Sequence, residues 1–340
     1  MAEVSELELK NEILLRIQKN FPLEERPFLT IAKELNTTEE NILDILNEAK
    51  NEGLIRQTSA IFDTKKLGYK SSLVAFEIAK ENIDEAVKIL NAHPGISHNY
   101  ERNHSFNIWF TIAIAPNSSL GLEKTVEILA IKTKAKNFII LPTLKLFKIA
   151  VKLDTTNSKG QKEKVVKKSF KELDLTSYHY NFIKLLQKDI EFTREPFKFI
   201  LDELKISYKE LFKVANDFIE SGVMRRFASI LNHRRAGFSA NAMVVWDIDE
   251  AKAQKIGEIA ASFSAVSHCY LRPKYPNWKY NLFTMIHGKT TQETQTTIDA
   301  IASEIEYKDK MALYSSREFK KVRIVYFSDE FQVWEKENSK

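Results

Sequence analysis

Apolar residues recur at helical spacing near the start of the chain: Leu7, Ile13, Leu14 and Ile17, then Phe28, Ile31, Ala32 and Leu35, then Ile42, Ile45, Leu46 and Ala49. Each set is the stripe an amphipathic helix turns toward a core, so the spacing predicts three short helices. The third opens at a capping signal, Thr37-x-x-Glu40, where the hydroxyl accepts an orphan amide and the glutamate returns the bond. With Gly53-Leu-Ile-Arg56 following, the set reads as a winged helix-turn-helix. The pattern then alternates. Residues 73–78 read as strand, 82–90 as helix, 96–102 and 106–112 as strands, 120–131 as helix and 138–149 as a final strand. This βαββαβ order predicts a ferredoxin-like antiparallel sheet with both helices on one face and the other face open to a ligand or a second sheet.

The whole series occurs twice. Pro196-Phe197, Ile200, Leu204, Gly222 and Gly237 stand 169 positions after Pro27-Phe28, Ile31, Leu35, Gly53 and Gly68. Ser207-x-x-Glu210 repeats the capping signal, and residues 243–248, 250–263, 266–272, 280–286, 291–305 and 312–327 repeat the strand and helix order, with an insertion around 273–279. The segment 152–176 is rich in lysine, threonine and serine without apolar periodicity and reads as a linker. The expected fold is therefore α+β, two tandem copies of a winged helix-turn-helix followed by a ferredoxin-like domain. The boundaries are 1–57 and 58–151 for the first copy, and 177–226 and 227–330 for the second.

At 340 residues, 44% hydrophobic and 29% charged, the chain can bury large cores. Cys269 is the only cysteine, so no internal disulfide and no all-cysteine metal site is expected, and no metal ligand set is assigned. No apolar run approaches the roughly 20 residues of a membrane span, and the first ten residues carry three glutamates where a signal peptide would be basic and then apolar. A cytoplasmic protein without membrane contact is expected. The net charge of +5 suits an acidic ligand or nucleic acid. Against DNA stands the third helix of the first copy, with Glu39, Glu40, Asp44, Glu48 and Glu52 against Lys50. Its counterpart has Glu210, Asp217 and Glu220 against Lys209 and Lys213. An acidic recognition helix would be repelled by phosphate, so no specific DNA is expected and these modules support or dimerise the fold.

Alternation along the strands puts Ile96, His98, Tyr100 and Arg102 on one face in the first copy, and Val266, His268, Tyr270 and Arg272 in the second. Histidine, tyrosine and arginine together do not build an apolar core. His98 and His268 are the only histidines that match between the copies.

The stretches Gly222-Val-Met-Arg-Arg226, Asn232-His-Arg-Arg-Ala-Gly-Phe238, Asn241-Ala-Met-Val-Val-Trp246, Val266-Ser-His-Cys-Tyr-Leu-Arg-Pro273, Trp278-x-Tyr-Asn-Leu-Phe-Thr-Met-Ile-His-Gly288 and Leu313-Tyr-Ser-Ser-Arg-Glu-Phe-Lys-Lys321 closely resemble those of the siroheme decarboxylases. That family looks like Lrp/AsnC-type regulators turned to enzymatic use. The first half, with Ile96-Ser-His-Asn-Tyr-Glu-Arg102 and Asn107-Ile-Trp-Phe-Thr111, is similar to the partner subunit. The resemblance implies a fused two-subunit enzyme, a pseudo-dimer in one chain open to further homo-oligomerisation. Its activity would be removal of carbon dioxide from the C12 and C18 acetates of siroheme, giving 12,18-didecarboxysiroheme. An Lrp/AsnC-type regulator and a non-catalytic haem-binding protein are the alternatives.

Siroheme carries eight carboxylates, and arginine grips a carboxylate bidentately. The expected substrate-binding residues are Arg225, Arg226, His233, Arg234, Arg235, Arg272, Arg317, Lys320 and Lys321 of the second copy, with Trp246, Trp278 and Tyr280 as flat surface and Tyr100, Arg102 and Lys148 from the first. His268, His98 and Tyr270 are the expected catalytic residues. Carbanion charge left by decarboxylation can spread into the macrocycle, so no cofactor is expected and iron enters only with the substrate. A histidine fits proton delivery or axial ligation of that iron, and both roles stay open. Arg317 matches Lys145, Arg226 matches Gln57 and His233 matches Thr64, so the full-strength site is expected on the second copy's motifs.

Overall fold

The computed structural model describes residues 6–19, 21–149, 170–231 and 240–339. The first copy runs α1 (Glu6–Lys19), α2 (Pro27–Glu34), α3 (Glu39–Asn51), β1 (Ile55–Phe62), β2 (Lys70–Glu77), α4 (Ile83–Ala92), β3 (Ile96–Arg102), β4 (Ile108–Ile114), α5 (Gly121–Lys132), β5 (Asn137–Pro142) and β6 (Lys145–Ile149). The second runs α6 (Ser177–Leu186), α7 (Lys198–Leu204), α8 (Tyr208–Ser221), β7 (Met224–Leu231), β8 (Ala240–Asp247), α9 (Ala253–Ser262), β9 (Val266–Leu271), β10 (Leu282–Gly288), α10 (Thr291–Glu304), β11 (Asp309–Lys321) and α11 (Glu330–Asn338). The α+β reading and the duplication stand. The chain nevertheless divides differently from the expected boundaries. One compact unit holds Met1–Tyr69, Lys168–Asn232 and Val325–Ser328; the other holds Lys70–Lys167, His233–Ile324 and Asp329–Lys340. Like packs with like across the two copies.

In the helical unit, α3 and α8 each stop at a glycine in the left-handed region, Gly53 at φ 69° and Gly222 at φ 71°, which turns the chain without a Cβ clash. The strands that follow are not wings. β1 and β7 pair antiparallel with each other, Ser59 opposite Ala228, and those two residues match at the repeat spacing, so a pseudo-twofold axis passes between them. Thr58 and Ser229 share a buried hydroxyl–hydroxyl bond of 2.6 Å beside it. The expected boundaries at 57/58 and 226/227 thus fall inside continuous strands. The cap of α3 is Thr38, which accepts from the Asn41 amide at 3.2 Å, one residue after the predicted Thr37; Ser207 caps α8 as expected. Lys50 of α3 is held by Asp189 of the other copy at 2.6 Å.

The second unit contains a sheet ordered β5-β2-β4-β3-β11-β8-β10-β9-β6. β5-β2-β4-β3 and β11-β8-β10-β9 are the two expected ferredoxin-like sheets, each with its own helix-side core. Val74, Phe76, Leu90, Ile96, Phe110 and Leu129 belong to the first core, and Val244, Trp246, Ile256, Val266, Leu282 and Ile301 to the second. The open faces meet in a third core where Trp109, Phe106 and Leu141 pack with Val245, Trp278, Phe283 and Leu313. The face left for a ligand or a second sheet therefore takes a second sheet over much of its area.

The last strand of each copy does something the alternation did not predict: it crosses to the other copy. β11 pairs with β8 over Asp309–Tyr314, then continues alongside β3 from Ser315 to Lys321. The expected single strand at 138–149 is broken; β5 stays with β2, while β6 lies beside β9. The expected strand at 312–327 ends at Lys321, and Tyr326 and Phe327 pack instead on Tyr69 and Tyr180 in the helical unit. α11, which the sequence reading did not foresee, lays Phe331 and Trp334 against His93 at the end of α4.

Candidate active site

Two matched constellations sit on β3 and β9. In antiparallel pairs, facing residues share a side of the sheet. His98 faces Thr111 and Tyr100 faces Trp109, whereas Ile96 faces Ile112. The register slips between Ile96 and His98, so an extra residue, Ser97, reverses the parity. Ile96 points into the helix-side core and His98, Tyr100 and Arg102 point to the other face, correcting the expectation that all four share one. The same slip occurs on β9, where Val266 faces Ile286 and His268 faces Met285. Beyond each bulge the histidine and tyrosine, two positions apart on one face, form a stacked pair, His98–Tyr100 with centroids 6.3 Å apart and His268–Tyr270 at 6.0 Å. All four are half-buried.

The bulge serine binds the adjacent imidazole. Ser97 Oγ lies 2.9 Å from His98 Nδ1 and 2.8 Å from Thr111 Oγ1. Ser267 Oγ lies 2.7 Å from His268 Nδ1 and 2.6 Å from His287 Nε2, and His287 Nδ1 lies 2.7 Å from Asn241 Oδ1. Ser97, Thr111, Ser267, His287 and Asn241 were not among the expected site residues. The signal was present in the histidine of the Trp278–Gly288 motif, which shares strand parity with Met285.

Several of the expected cations are engaged within the protein itself. Arg102 and Arg272 are buried; Arg102 donates from Nη1 to the Leu313 carbonyl at 2.7 Å, and Arg272 donates from Nη1 to the Leu141 carbonyl. Arg102 thus holds β11 and Arg272 holds β5, each a strand of the opposite copy, while lying over the tyrosine two positions before it, Tyr100 or Tyr270. Burial lowers both to about 10, which leaves them cationic at neutral pH. Lys148 donates to the Phe263 carbonyl at 2.8 Å and Lys320 to the Asn91 carbonyl at 2.7 Å, matched lysines that cap the ends of α9 and α4 in the opposite copy. Arg317 pairs with Glu101 and Asp84. Trp246 is fully buried in the helix-side core, its indole donating to Thr284, and Trp278 and Tyr280 are buried between the sheets, so none offers an open flat surface. Arg225 and Arg226 belong to the helical unit. There Arg225 is held by Asp63 at 2.8 Å, and Arg226 has its pKa lowered by burial. His233, Arg234 and Arg235 lie outside the described residues.

Strand exchange redistributes what remains. Lys321 faces His98 and Glu318 faces Tyr100, while the matching positions of β6 put Ile149 opposite His268 and Leu146 opposite Tyr270. The charged end of the second copy's last strand therefore runs beside the first copy's histidine, and the first copy's β6 beside the second copy's, so each copy contributes a strand across the interface.

Comparison with known proteins agrees with this architecture. The family model for an AsnC-like ligand binding domain matches residues 66–148 and 235–320, and that for a siroheme decarboxylase NirDL-like HTH domain matches 10–56. A siroheme decarboxylase of Hydrogenobacter thermophilus is 39% identical over 327 residues, spanning 96% of this chain and 97% of that protein. The siroheme decarboxylase beta subunit of Methanosarcina barkeri is 39% identical over 142 residues, 42% of this chain and 93% of the subunit. The crystal structure of the siroheme decarboxylase NirDL in complex with an iron-uroporphyrin III analogue has a TM-score of 0.79 at 33% identity, covering 97% of this chain and 98% of the other. With its duplicated AsnC-like domains, its helix-turn-helix module and this full-length likeness, the chain belongs to the siroheme decarboxylase family.

Proposed function

We propose that this chain decarboxylates siroheme, removing carbon dioxide from the C12 and C18 acetates to give 12,18-didecarboxysiroheme in haem biosynthesis. The observation that carries the proposal is the end-to-end likeness to siroheme decarboxylases, one solved with an iron-uroporphyrin analogue, in a chain whose two bulged strands each present a histidine stacked on a tyrosine. Breaking the C–C bond of an acetate leaves an electron pair that the conjugated ring delocalises, so the chain's own work is to orient the ring, keep the leaving carboxylate out of water and protonate the resulting methylene. His268 and His98 are the proton donors, each held by its bulge serine, and Tyr270 and Tyr100 fix the ring planes by stacking. Ile149 and Leu146 beside His268 supply the apolar surroundings that favour loss of charge as carbon dioxide. The reaction needs no cofactor, siroheme bringing its own iron. The acidic α3, whose Lys50 is held by Asp189, supports a helical pair that joins the copies without sequence-specific DNA. No helix of the described residues is long and apolar enough to cross a membrane.

The test is anaerobic incubation of the full chain with siroheme, followed by product mass. Loss of two carbon dioxide units is expected. Tightly bound but unchanged siroheme would identify a carrier, and absence of binding together with sequence-selective DNA affinity would restore the regulator.

A further inference from the structure

The two bulge serines have different neighbours, and the difference sets a direction for protons. An amide oxygen only accepts, so the 2.7 Å contact of Asn241 Oδ1 requires His287 Nδ1 to carry a proton. In a neutral imidazole the other nitrogen is then an acceptor, and the Ser267 hydroxyl must donate to His287 Nε2 across 2.6 Å. Its contact with the Met285 carbonyl, at 3.5 Å, is too long to compete for that hydrogen. A hydroxyl donates once, so Ser267 Oγ accepts from His268 Nδ1–H at 2.7 Å. On β3 the corresponding chain ends in hydroxyls: Ser97 meets Thr111 at 2.8 Å, and Thr111 lies 3.4 Å from His98 Nδ1. Both hydroxyls donate and accept, so these two contacts by themselves impose no direction.

We propose that Asn241 and His287, acting through Ser267, are positioning residues that hold His268 as its Nδ1–H tautomer and so make Nε2 the nitrogen that gains and gives up the proton. The inference rests on the decarboxylase reading for its chemical consequence, though not for its geometry. When the acetate C–C bond breaks, its electron pair stays on the methylene carbon and carbon dioxide departs. The Nε2 proton of the His268 imidazolium moves to that carbon, making a methyl group. The neutral ring left behind is the Nδ1–H tautomer, the one the chain of hydrogen bonds already favours, so delivery from Nε2 ends in a supported state. Solvent then returns the proton.

The experiment is nitrogen-15 NMR of the full chain labelled on histidine, without siroheme, at a pH where the imidazoles are neutral. The His268 signals are assigned by their loss in His268→Gln. A single Nδ1–H tautomer is expected for His268; an Nε2–H tautomer or a mixture in the unmodified chain overturns the proposal, even if His287→Leu and Asn241→Asp misfold. His287→Leu should convert the signal to a mixture and lower kcat for siroheme about tenfold while KM holds. Asn241→Asp, which keeps an acceptor, should preserve both. An unchanged tautomer or unchanged kcat in His287→Leu overturns the positioning role. A fixed tautomer in an unmodified chain that does not decarboxylate siroheme leaves the geometry standing and sinks the functional reading instead.

Discussion

β3 and β9 carry the same bulge, the same histidine and tyrosine on the same face, and the same buried arginine two positions further on. Part of what differs is borrowed from the other copy. Strand exchange lays Lys321 and Glu318 beside the His98 pair and Ile149 and Leu146 beside the His268 pair, and β10 adds His287 to the second site where β4 offers Thr111 to the first. The chemistry of a site in this fold is thus written on three strands, one of which comes from the other copy. A cation near a carboxylate stabilises the charged ground state, whereas apolar neighbours favour its loss as carbon dioxide. On the proposed mechanism, the second site would be the better decarboxylating site and the first the better anchor.

The comparison breaks most readily at the histidines. His268→Ala should retain siroheme, because other contacts remain, while slowing conversion at least about a hundredfold, the lower end of a positioned proton donor's contribution. Binding titrations beside product mass check it, and near-normal conversion removes His268 from the chemistry. His98→Ala should cost only about tenfold, with a monodecarboxylated species accumulating; equal losses in the two variants would mean equivalent sites. Exchanging the borrowed residues sharpens the contrast. Ile149→Lys should slow turnover several-fold by holding the leaving carboxylate as an anion, an effect of roughly 1 kcal/mol at a partly exposed position, and Lys321→Ile should not. Measured kcat decides between them.

Smaller effects belong to stability. Arg272→Met and Arg102→Met should each cost about 1–3 kcal/mol in denaturant unfolding, because each leaves a strand carbonyl of the opposite copy without its charged donor. A difference of more than about 1 kcal/mol between the two would show that the strand pins are unequal. His93 is the least of the contrasts. Burial under α11 lowers its pKa to about 3, and its counterpart in the second copy is Phe263. The unfolded chain takes up a proton near pH 6.5 that the folded one refuses, so His93 lowers stability as pH falls from about 6.5 toward 3 and is neutral above. His93→Phe should flatten that part of the pH profile.

The helices and strands were legible because apolar period reports burial directly, and the duplication because paired glycines and histidines keep their spacing. Three things were not. Alternation says that residues 145–149 and 315–321 are strands but not which neighbour they take, so the exchange was invisible. A bulge consumes one residue without changing composition, and Ile96 was assigned to the wrong face by counting through Ser97. Arginine and lysine look alike in sequence whether they wait for a carboxylate or hold a carbonyl; Arg102, Arg272, Lys148 and Lys320 hold carbonyls, which only the fold distinguishes.

Crossing strands have a consequence for how such a protein can change. In an assembly of identical subunits every substitution is made twice, once beside each copy of the site, so neither site can be altered alone. Here β6 and β11 are encoded separately, though they occupy matching places. Isoleucine can stand at 149 while lysine stands at 321, and one pocket can be tuned for reaction while the other is kept for grip. Joining the copies also removes dilution as a hazard, because the two partners can never drift apart in the cell. Covalent linkage thereby secures the pairing, and separate coding within it leaves the two halves free to divide their labour.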